Sequence, residues 1–433
     1  MHVLILSEYW SPTYGVPQRR WHWLTGILEA AGHTVSVVTP RTKSGPIPVA
    51  HETLVPTQIQ EQKSGLTERA LAQIMSSKRM AATAIDYIRG LDAAERPAVI
   101  IGTVPTLPTA KATEIVGKKT GIPNIIDLRD AWPDLLKYTA QWNEETGRQS
   151  LREKLLGGLP TTVASTVFKM NFARTLANAA GIISTTTSLE AALRQDLYQP
   201  FFSTVRNVFP PPTHPEVRHT HTPGQPLHVL YAGTIGRAQK LSHVLDAVAL
   251  LPEGTVDVRF VGTGAAQEYL RSRVEYSPVL RQAVSFYPRT INGRLSRHYE
   301  WADVGLVHLA DWEPLRRTVP SKMYELMEEA IPVVGVVEGE AQHLIENLGA
   351  GWVAAPGDVP GLAALFSQLA AGPVEPVGDA AREWVLSQRE QTAPDNFLWV
   401  VESAAAGVSG GRGSRECQTR SSSPGTRTRV ATE

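Results

Sequence analysis

Ser321, Lys322, Tyr324 and Glu325 stand together in the stretch RRTVPSKMYELMEEAIPVVG, residues 316–335. Pro320 sits where a helix start favours proline, and Ser321 is a candidate N-cap. Met323, Leu326 and Met327 form an apolar stripe with helical spacing, Pro332 stops the helix, and IPVVGVV is an apolar run of strand length. The spacing predicts loop, helix, tight turn and buried strand. The polar cluster then occupies the first turns of a helix at the mouth of a parallel sheet. Free N–H groups and the positive dipole end make a helix start an anion site. Lys322 adds a cation, and Glu325, one turn on, supplies an acceptor suited to a ribose diol. This is chemistry for holding a nucleotide diphosphate.

Other stretches carry chemistry of the same kind. YAGTIGRAQK (231–240) ends a strand in Gly233 and Gly236 and leads into a helix near Lys240, which is phosphate-cradle geometry. IIDLRDAWPDLL (125–136) sets Asp127, Arg129 and Asp130 at a strand end before Trp132–Pro133 turns the chain. Either aspartate is placed for polar contacts in a cleft or for capping the next helix; Trp132 reads as packing or as a sugar platform. In SPTYGVPQRRW (11–21), Gly15 lets the backbone pass close to a phosphate or hydroxyl. Arg19 and Arg20 stand at a helix start, where the dipole disfavours cations. They read either as solvated surface groups or as holders of an anionic acceptor. VRFVGTGAAQ (258–267) has G-x-G with Gln267 in the third glycine's place, a weak basis for a redox enzyme. His214, His219 and His221 lie in a polar, Pro-rich stretch and read as solvated rather than metal-binding.

The elements that position these groups alternate. The strand 2–7, a helix over 19–31 and the strand VSVVTP form a βαβ unit, the building block of a parallel sheet. A helix over 66–91, the strand AVIIGTV, a helix over 109–119, and the strands PNIIDLR and GIISTTT continue it. The second half repeats the plan with LHVLYAGT, a helix over 240–250, VDVRFVG, a helix near 267–274, AVSFYP, VGLVHLA, the 316–335 stretch and GWVAAP. Ligands of open sheets sit at strand C-terminal ends, so the loops at 8–18, 103–109, 129–138 and 185–188 matter in the first half. A helix over 396–404 follows, and the residues after 407 are expected to be disordered.

A chain of 433 residues suits two domains. Its 42 Lys and Arg balance 42 Asp and Glu, which argues against a nucleic-acid binder held by bulk charge. The single cysteine, Cys417, excludes a disulfide within the chain and a cysteine-rich zinc site. No apolar run reaches the length of a membrane span. Residues 147–180 mix basic and apolar side chains, and read either as core or as a peripheral contact with an anionic membrane.

The P-S-K-x-x-E core followed by a strand, together with R-D-x-W-P at 129–133, resembles glycosyltransferase family 4, in particular its members that build bacterial surface polysaccharides. The resemblance covers nearly all of residues 1–405. It implies an α/β GT-B architecture: two Rossmann-like, doubly wound parallel-sheet domains facing an interdomain cleft. The expected divisions are an acceptor-side domain at 1–205, a linker at 206–226, a donor-nucleotide domain at 227–388, a helix crossing back at 389–406 and a tail at 407–433. The implied activity is transfer of a hexosyl or N-acetylhexosaminyl group from a UDP- or GDP-type nucleotide sugar. The acceptor would be a glycan or lipid-linked intermediate, and the anomeric configuration would be retained. Neither cofactor nor metal is implied, and the location is the cytoplasm or its membrane face.

By the same resemblance Gly236, Arg237, Lys240, Ser321, Lys322, Glu325, Glu338, Gly339 and Glu340 bind donor. Gly15, Arg19, Arg20, Arg129 and Trp132 line the acceptor side. Asp130 and Glu313 are the candidates at the reacting centre. The chain departs from the family's pattern at Val16, where a second glycine is usual. It departs again at Arg317, eight positions before Glu325, where a glutamate is usual, and in lacking a histidine in the 125–136 run. A sugar-nucleotide epimerase and a non-catalytic binding subunit are the alternatives.

Overall fold

The computed structural model describes residues 1–10, 15–40, 53–57, 66–104, 107–138, 141, 145, 160–199, 201–211, 221–290 and 295–407. The strands are β1 (His2–Leu6), β2 (Thr34–Pro40), β3 (Thr53–Thr57), β4 (Val99–Val104), β5 (Asn124–Leu128), β6 (Gly181–Ser184) and β7 (Phe201–Thr204) in the first half. The second half has β8 (Leu227–Ala232), β9 (Val256–Val261), β10 (Val284–Tyr287), β11 (Val304–His308), β12 (Val333–Val336) and β13 (Gly351–Ala354). They form a seven-stranded sheet, β3-β2-β1-β4-β5-β6-β7, and a six-stranded sheet, β10-β9-β8-β11-β12-β13. Every pairing is parallel. Helices cover both faces, so the central strands are buried throughout; all six residues of β4 are inaccessible.

The helices of the first half are α1 (Val16–Ala30), α2 (Leu66–Gly90), α3 (Leu107–Thr120), α4 (Pro160–Ala177) and α5 (Thr187–Asp196). Those of the second are α6 (Ser242–Ala249), α7 (Gln267–Tyr276), α8 (Pro278–Ala283), α9 (Ser296–Trp301), α10 (Ser321–Glu328), α11 (Glu340–Asn347), α12 (Val359–Ala371), α13 (Asp379–Ser387) and α14 (Ala393–Ala406). Strand order reverses between β1 and β4 and again between β8 and β11. These two switch points open crevices at the strand C-terminal ends, where ligands of such sheets sit.

Two strands escape sequence reading. β3, TLVPT, contains Pro56, which a sheet accepts at an edge, and β3 is an edge strand. β7, FFST, has four residues, too few to establish an alternation. The first helix starts at Val16 rather than 19, because the Gln18 side chain accepts from the Gly15 N–H at 3.0 Å and caps the end. The cap of α10 is Pro320; Ser321 is its first helical residue and not its cap.

One apolar cluster joins the halves. It takes Trp21, Leu24 and Val37 from the first sheet's layers, Val307, Met323 and Leu326 from the second's, and Phe397, Val400 and Val401 from α14. Each such side chain contributes about 1.5–3 kcal/mol on burial. Although α14 follows the second sheet in sequence, it packs on β6 and β7. Phe397 meets Trp21 edge-on at 6.2 Å, and Asn396 donates to the Thr204 carbonyl at 2.9 Å.

His221 corrects a sequence expectation. It is 3% exposed, and its Nδ1 lies 3.0 Å from Asp303 Oδ2, which also accepts the His228 N–H at 2.8 Å. It seals the start of the second sheet. His214, His219, Cys417 and the tail lie outside the described residues, as does 147–159 of the basic-apolar segment.

Candidate active site between the two sheets

The loop after β8 is shaped by glycines on two strands. A Cβ at Gly262 would stand 1.8 Å from the Gly233 carbonyl oxygen, and one at Gly264 would stand 2.1 Å from that of Ile235. The G-x-G at 262–264 therefore serves close packing of one loop on another. Ile235 N–H donates to the Thr263 carbonyl and Ala266 N–H to that of Ile235, both at 3.0 Å. Ala310 N–H, after β11, donates to the Ala238 carbonyl at 2.8 Å. The loop carrying Gly236, Arg237 and Lys240 is thus clasped from both sides and runs into α6. Lys240 holds φ of 44°, a conformation unusual for a side-chain-bearing residue. Gly236 is half-buried beside the Gln239 side chain. Arg237 is half-buried, and its Nε has no hydrogen-bond partner among the described residues.

Beneath this loop His308 ends β11. It is 2% exposed, and no side chain among the described residues hydrogen-bonds its ring nitrogens. Burial, with His243 beside it, pushes its pKa down to about 3.

The α10 helix presents its polar face to the first domain. Glu325, 2% exposed, accepts from Arg19 Nη1 at 2.7 Å, Lys322 Nζ at 2.7 Å and Tyr299 OH at 3.2 Å. Burial opposes its ionisation, but Lys322 and Arg19 outweigh this and hold its pKa below the usual carboxylate range. Both carboxylate oxygens are therefore engaged by protein groups. Arg19 also donates to the Pro210 carbonyl at 2.6 Å and lies over the Phe209 ring, so it joins the domains instead of lining a free acceptor surface. Arg20 is not on a surface at all. It is fully buried, paired with Asp127 at 2.8 Å, and donates to the Val205 carbonyl and Asn207. The dipole penalty at this helix start is met by a buried carboxylate, which is a structural reason for the arginine. Gly15 has extended backbone angles and serves as the cap of α1.

Further ties cross the cleft. Glu340 pairs with Arg206 at 2.5 Å and accepts from the N–H groups of Thr187 and Ser188 at 3.2 and 2.7 Å, so it caps α5. Burial works against it, yet Arg206 and Ser188 lower its pKa. Glu338 pairs with Arg316 at 2.6 Å. Gly339, with φ of 70°, passes so close to the Arg316 carbonyl that a Cβ would stand 2.1 Å away. Arg317 binds Asp134 at 3.2 Å and Glu313 at 3.1 Å, and its carbonyl accepts from Thr186 OH at 2.6 Å. Tyr138 stacks on Trp312 at 5.6 Å, and its OH accepts the Glu313 N–H. At the base of the cleft, Arg389 makes a bidentate pair with Glu328 and donates to the Val208 carbonyl at 2.5 Å.

Glu313 is exposed on a 3-10 turn with its carboxylate paired to Arg317. Asp130 is half-buried at the end of β5 with no side-chain partner among the described residues, and burial raises its pKa against the pull of Arg129. Arg129 is buried; burial lowers its pKa, and its Nε and Nη1 have no hydrogen-bond partner among the described residues. Trp132 packs against the cluster that joins the halves and against a smaller one within the first half. Sequence reading missed Arg206, Tyr138, Thr186, Arg389, His308 and Glu145. The partners of all but His308 lie tens to hundreds of positions away, and no local spacing marks any of the six.

Two parallel Rossmann-like sheets with apposed C-terminal edges and a clasped strand–helix loop define a GT-B architecture. Residues 226–371 match the family described as Glycosyl transferases group 1. The chain is 22% identical over 395 residues to a Pseudomonas aeruginosa protein named "Probable glycosyltransferase WbjE", covering 88% of this chain and 89% of that one. It is 26% identical over 174 residues to the amylovoran biosynthesis glycosyltransferase AmsK of Erwinia amylovora, covering 39% and 42%. Among solved structures it superimposes on sucrose-phosphate synthase from Thermosynechococcus elongatus with a TM-score of 0.64 at 16% identity, covering 94% of this chain and 96% of that one. With Anabaena HepE in complex with UDP and glucose the TM-score is 0.55 at 14% identity, covering 94% and 99%. The chain is a GT-B glycosyltransferase.

Proposed function

We propose that the protein transfers a hexosyl or N-acetylhexosaminyl group from a nucleotide-diphosphate sugar of UDP or GDP type to a glycan or lipid-linked intermediate of a bacterial surface polysaccharide, with retention at the anomeric carbon. The observation that carries this reading is the clasp between the loop after β8 and the loop after β11. It sets Arg237 and Lys240 at the start of α6, and the chain after β11 leads on to Lys322 at the start of α10. Cations and helix starts so arranged stabilise charge that gathers on a departing nucleoside diphosphate. The bound UDP of HepE and the polysaccharide role in the AmsK name support donor and acceptor class. The departing diphosphate helps to take the acceptor proton, and Asp130, whose carboxylate has no side-chain hydrogen bond among the described residues, hydrogen-bonds the sugar or acceptor. Glu313 is the lesser candidate because Arg317 holds it. No cofactor takes part.

The protein works in the cytoplasm, where it meets a lipid-linked acceptor by peripheral contact. Among the described residues no helix is long and apolar enough to cross a membrane. Met170, on α4, is an exposed apolar side chain of the segment that would make this contact.

A thermal-shift panel of UDP, GDP, ADP and CMP with their sugars tests the donor site, with Arg237→Ala and Lys240→Ala alongside. A ligand at 100 times its Kd stabilises by about 2.7 kcal/mol. Free nucleoside diphosphate released only when acceptor is added identifies a transferase and excludes an epimerase. Absence of any shift at millimolar nucleotide would refute the donor assignment.

A further inference from the structure

The start of α6 already holds an anion. Glu145, from the first half of the chain, is 2% exposed and reaches across to it. Its Oε1 accepts from Ser242 Oγ at 2.5 Å and lies 3.4 Å from Lys240 Nζ; its Oε2 accepts the Ser242 N–H at 3.3 Å. Ser242 is the first residue of α6, an eight-residue helix, and its N–H belongs to the unsatisfied first turn. A hydroxyl, a backbone N–H and an ammonium around a carboxylate are the donors a phosphate oxygen would use at a helix start. Three residues before Lys240, Arg237 has a buried Nε with no hydrogen-bond partner among the described residues. The site is thus an anion cradle filled by the protein's own carboxylate.

We propose that Glu145 is an internal competitor of the donor diphosphate: it occupies the Lys240–Ser242 cradle in the free protein and must leave for the donor to bind. This rests on the donor assignment made above and adds to it a residue that sets donor affinity. Glu145 and a phosphate oxygen cannot share Ser242 Oγ and Lys240 Nζ, so the apparent affinity is the intrinsic one reduced by the fraction of molecules with the cradle vacant. A purely structural contact predicts the opposite sign. If Glu145 held the domains in the binding-competent arrangement, its removal would weaken the donor.

The test is calorimetric titration of the full chain, Glu145→Gln and Glu145→Ala with inorganic pyrophosphate, which is independent of the base, and with UDP and GDP. Melting curves of each apo protein accompany the titrations. Glu145→Gln keeps the size of the side chain and removes its charge, so it serves even where Glu145→Ala fails to fold. The expected result is binding about three- to tenfold tighter in both variants, tenfold corresponding to 1.4 kcal/mol. Equal or weaker binding in folded variants, with the wild type binding normally, overturns the competitor role and leaves the donor site standing. No binding by wild type or variants overturns the donor site and the competitor together.

Discussion

Gly264→Ala is the most searching single change in the fold. Its backbone is not in the left-handed region, so the substitution carries no conformational penalty of its own. The added Cβ would lie 2.1 Å from the Ile235 carbonyl oxygen and 2.4 Å from its carbonyl carbon, where real contacts stay beyond 3.0 Å. Backbone rather than a flexible side chain must therefore move, by about 1 Å. The Ile235 segment holds Arg237 and Lys240, and it accepts the Ala266 N–H that begins the next turn. Overpacking of this kind costs about 1–3 kcal/mol. With melting shifts of roughly 2–4 °C per kcal/mol for domains of this size, the melting temperature should fall by about 2–12 °C. A basic loop displaced by 1 Å should also bind UDP or pyrophosphate at least about tenfold more weakly, since recognition at hydrogen-bond distance tolerates little displacement. Differential scanning fluorimetry and calorimetric titration read the two effects. Gly26→Ala is the control: Gly26 is exposed inside α1 with nothing within 4 Å of its would-be Cβ, and should gain about 0.5–1 kcal/mol. If Gly264→Ala melts and binds like the wild type while Gly26→Ala behaves as stated, the reasoning from loop-on-loop contact is wrong.

Other expectations follow from the cross-domain contacts. Glu340→Ala leaves Arg206 buried without its carboxylate and the Thr187 and Ser188 N–H groups at the start of α5 without their acceptor, and should cost about 3–5 kcal/mol, seen as a lower denaturation midpoint. His308 is held neutral in the fold, with its pKa near 3 against about 6.5 when unfolded. Its contribution is thus full above pH 6.5 and is lost as pH falls towards 3, by about 1.4 kcal/mol per unit. His308→Leu should flatten the acid limb of the stability profile, and an unchanged slope would contradict this. The carboxylates of Glu325 and Glu340 are also held low, so their stabilisation is present above the unfolded value of about 4.3 and is lost as pH falls below it. Arg389→Ala breaks the pair with Glu328 and the tie to the Val208 carbonyl, and should raise the radius of gyration in solution scattering as the base of the cleft loosens. An unchanged scattering curve would count against Arg389 as the strap.

The alternation of apolar runs and helical stripes carried both parallel sheets, because strands buried on two faces need continuous Val, Ile and Leu, and crossover helices need a stripe. The strand–helix loop at 231–240 and the α10 start were legible for the same local reason: glycine, proline and cations mark a helix start within a few residues. Sequence alone did not reveal how the two halves face each other. Arg19 and Arg20 are adjacent in the chain, yet one reaches Glu325 across the cleft and the other is sealed against Asp127. The G-x-G at 262–264 is only a weak redox signal in the sequence, and the fold sets it against Gly233 and Ile235 in close loop packing. Glu338 and Glu340 read alike, but only the second caps a helix of the opposite domain. Helix starts and buried strands are fixed by neighbours along the chain, so the sequence by itself determined them. Which carboxylate meets which cation across the cleft depends on the packing of two sheets and the return of α14, and only the tertiary structure decided that.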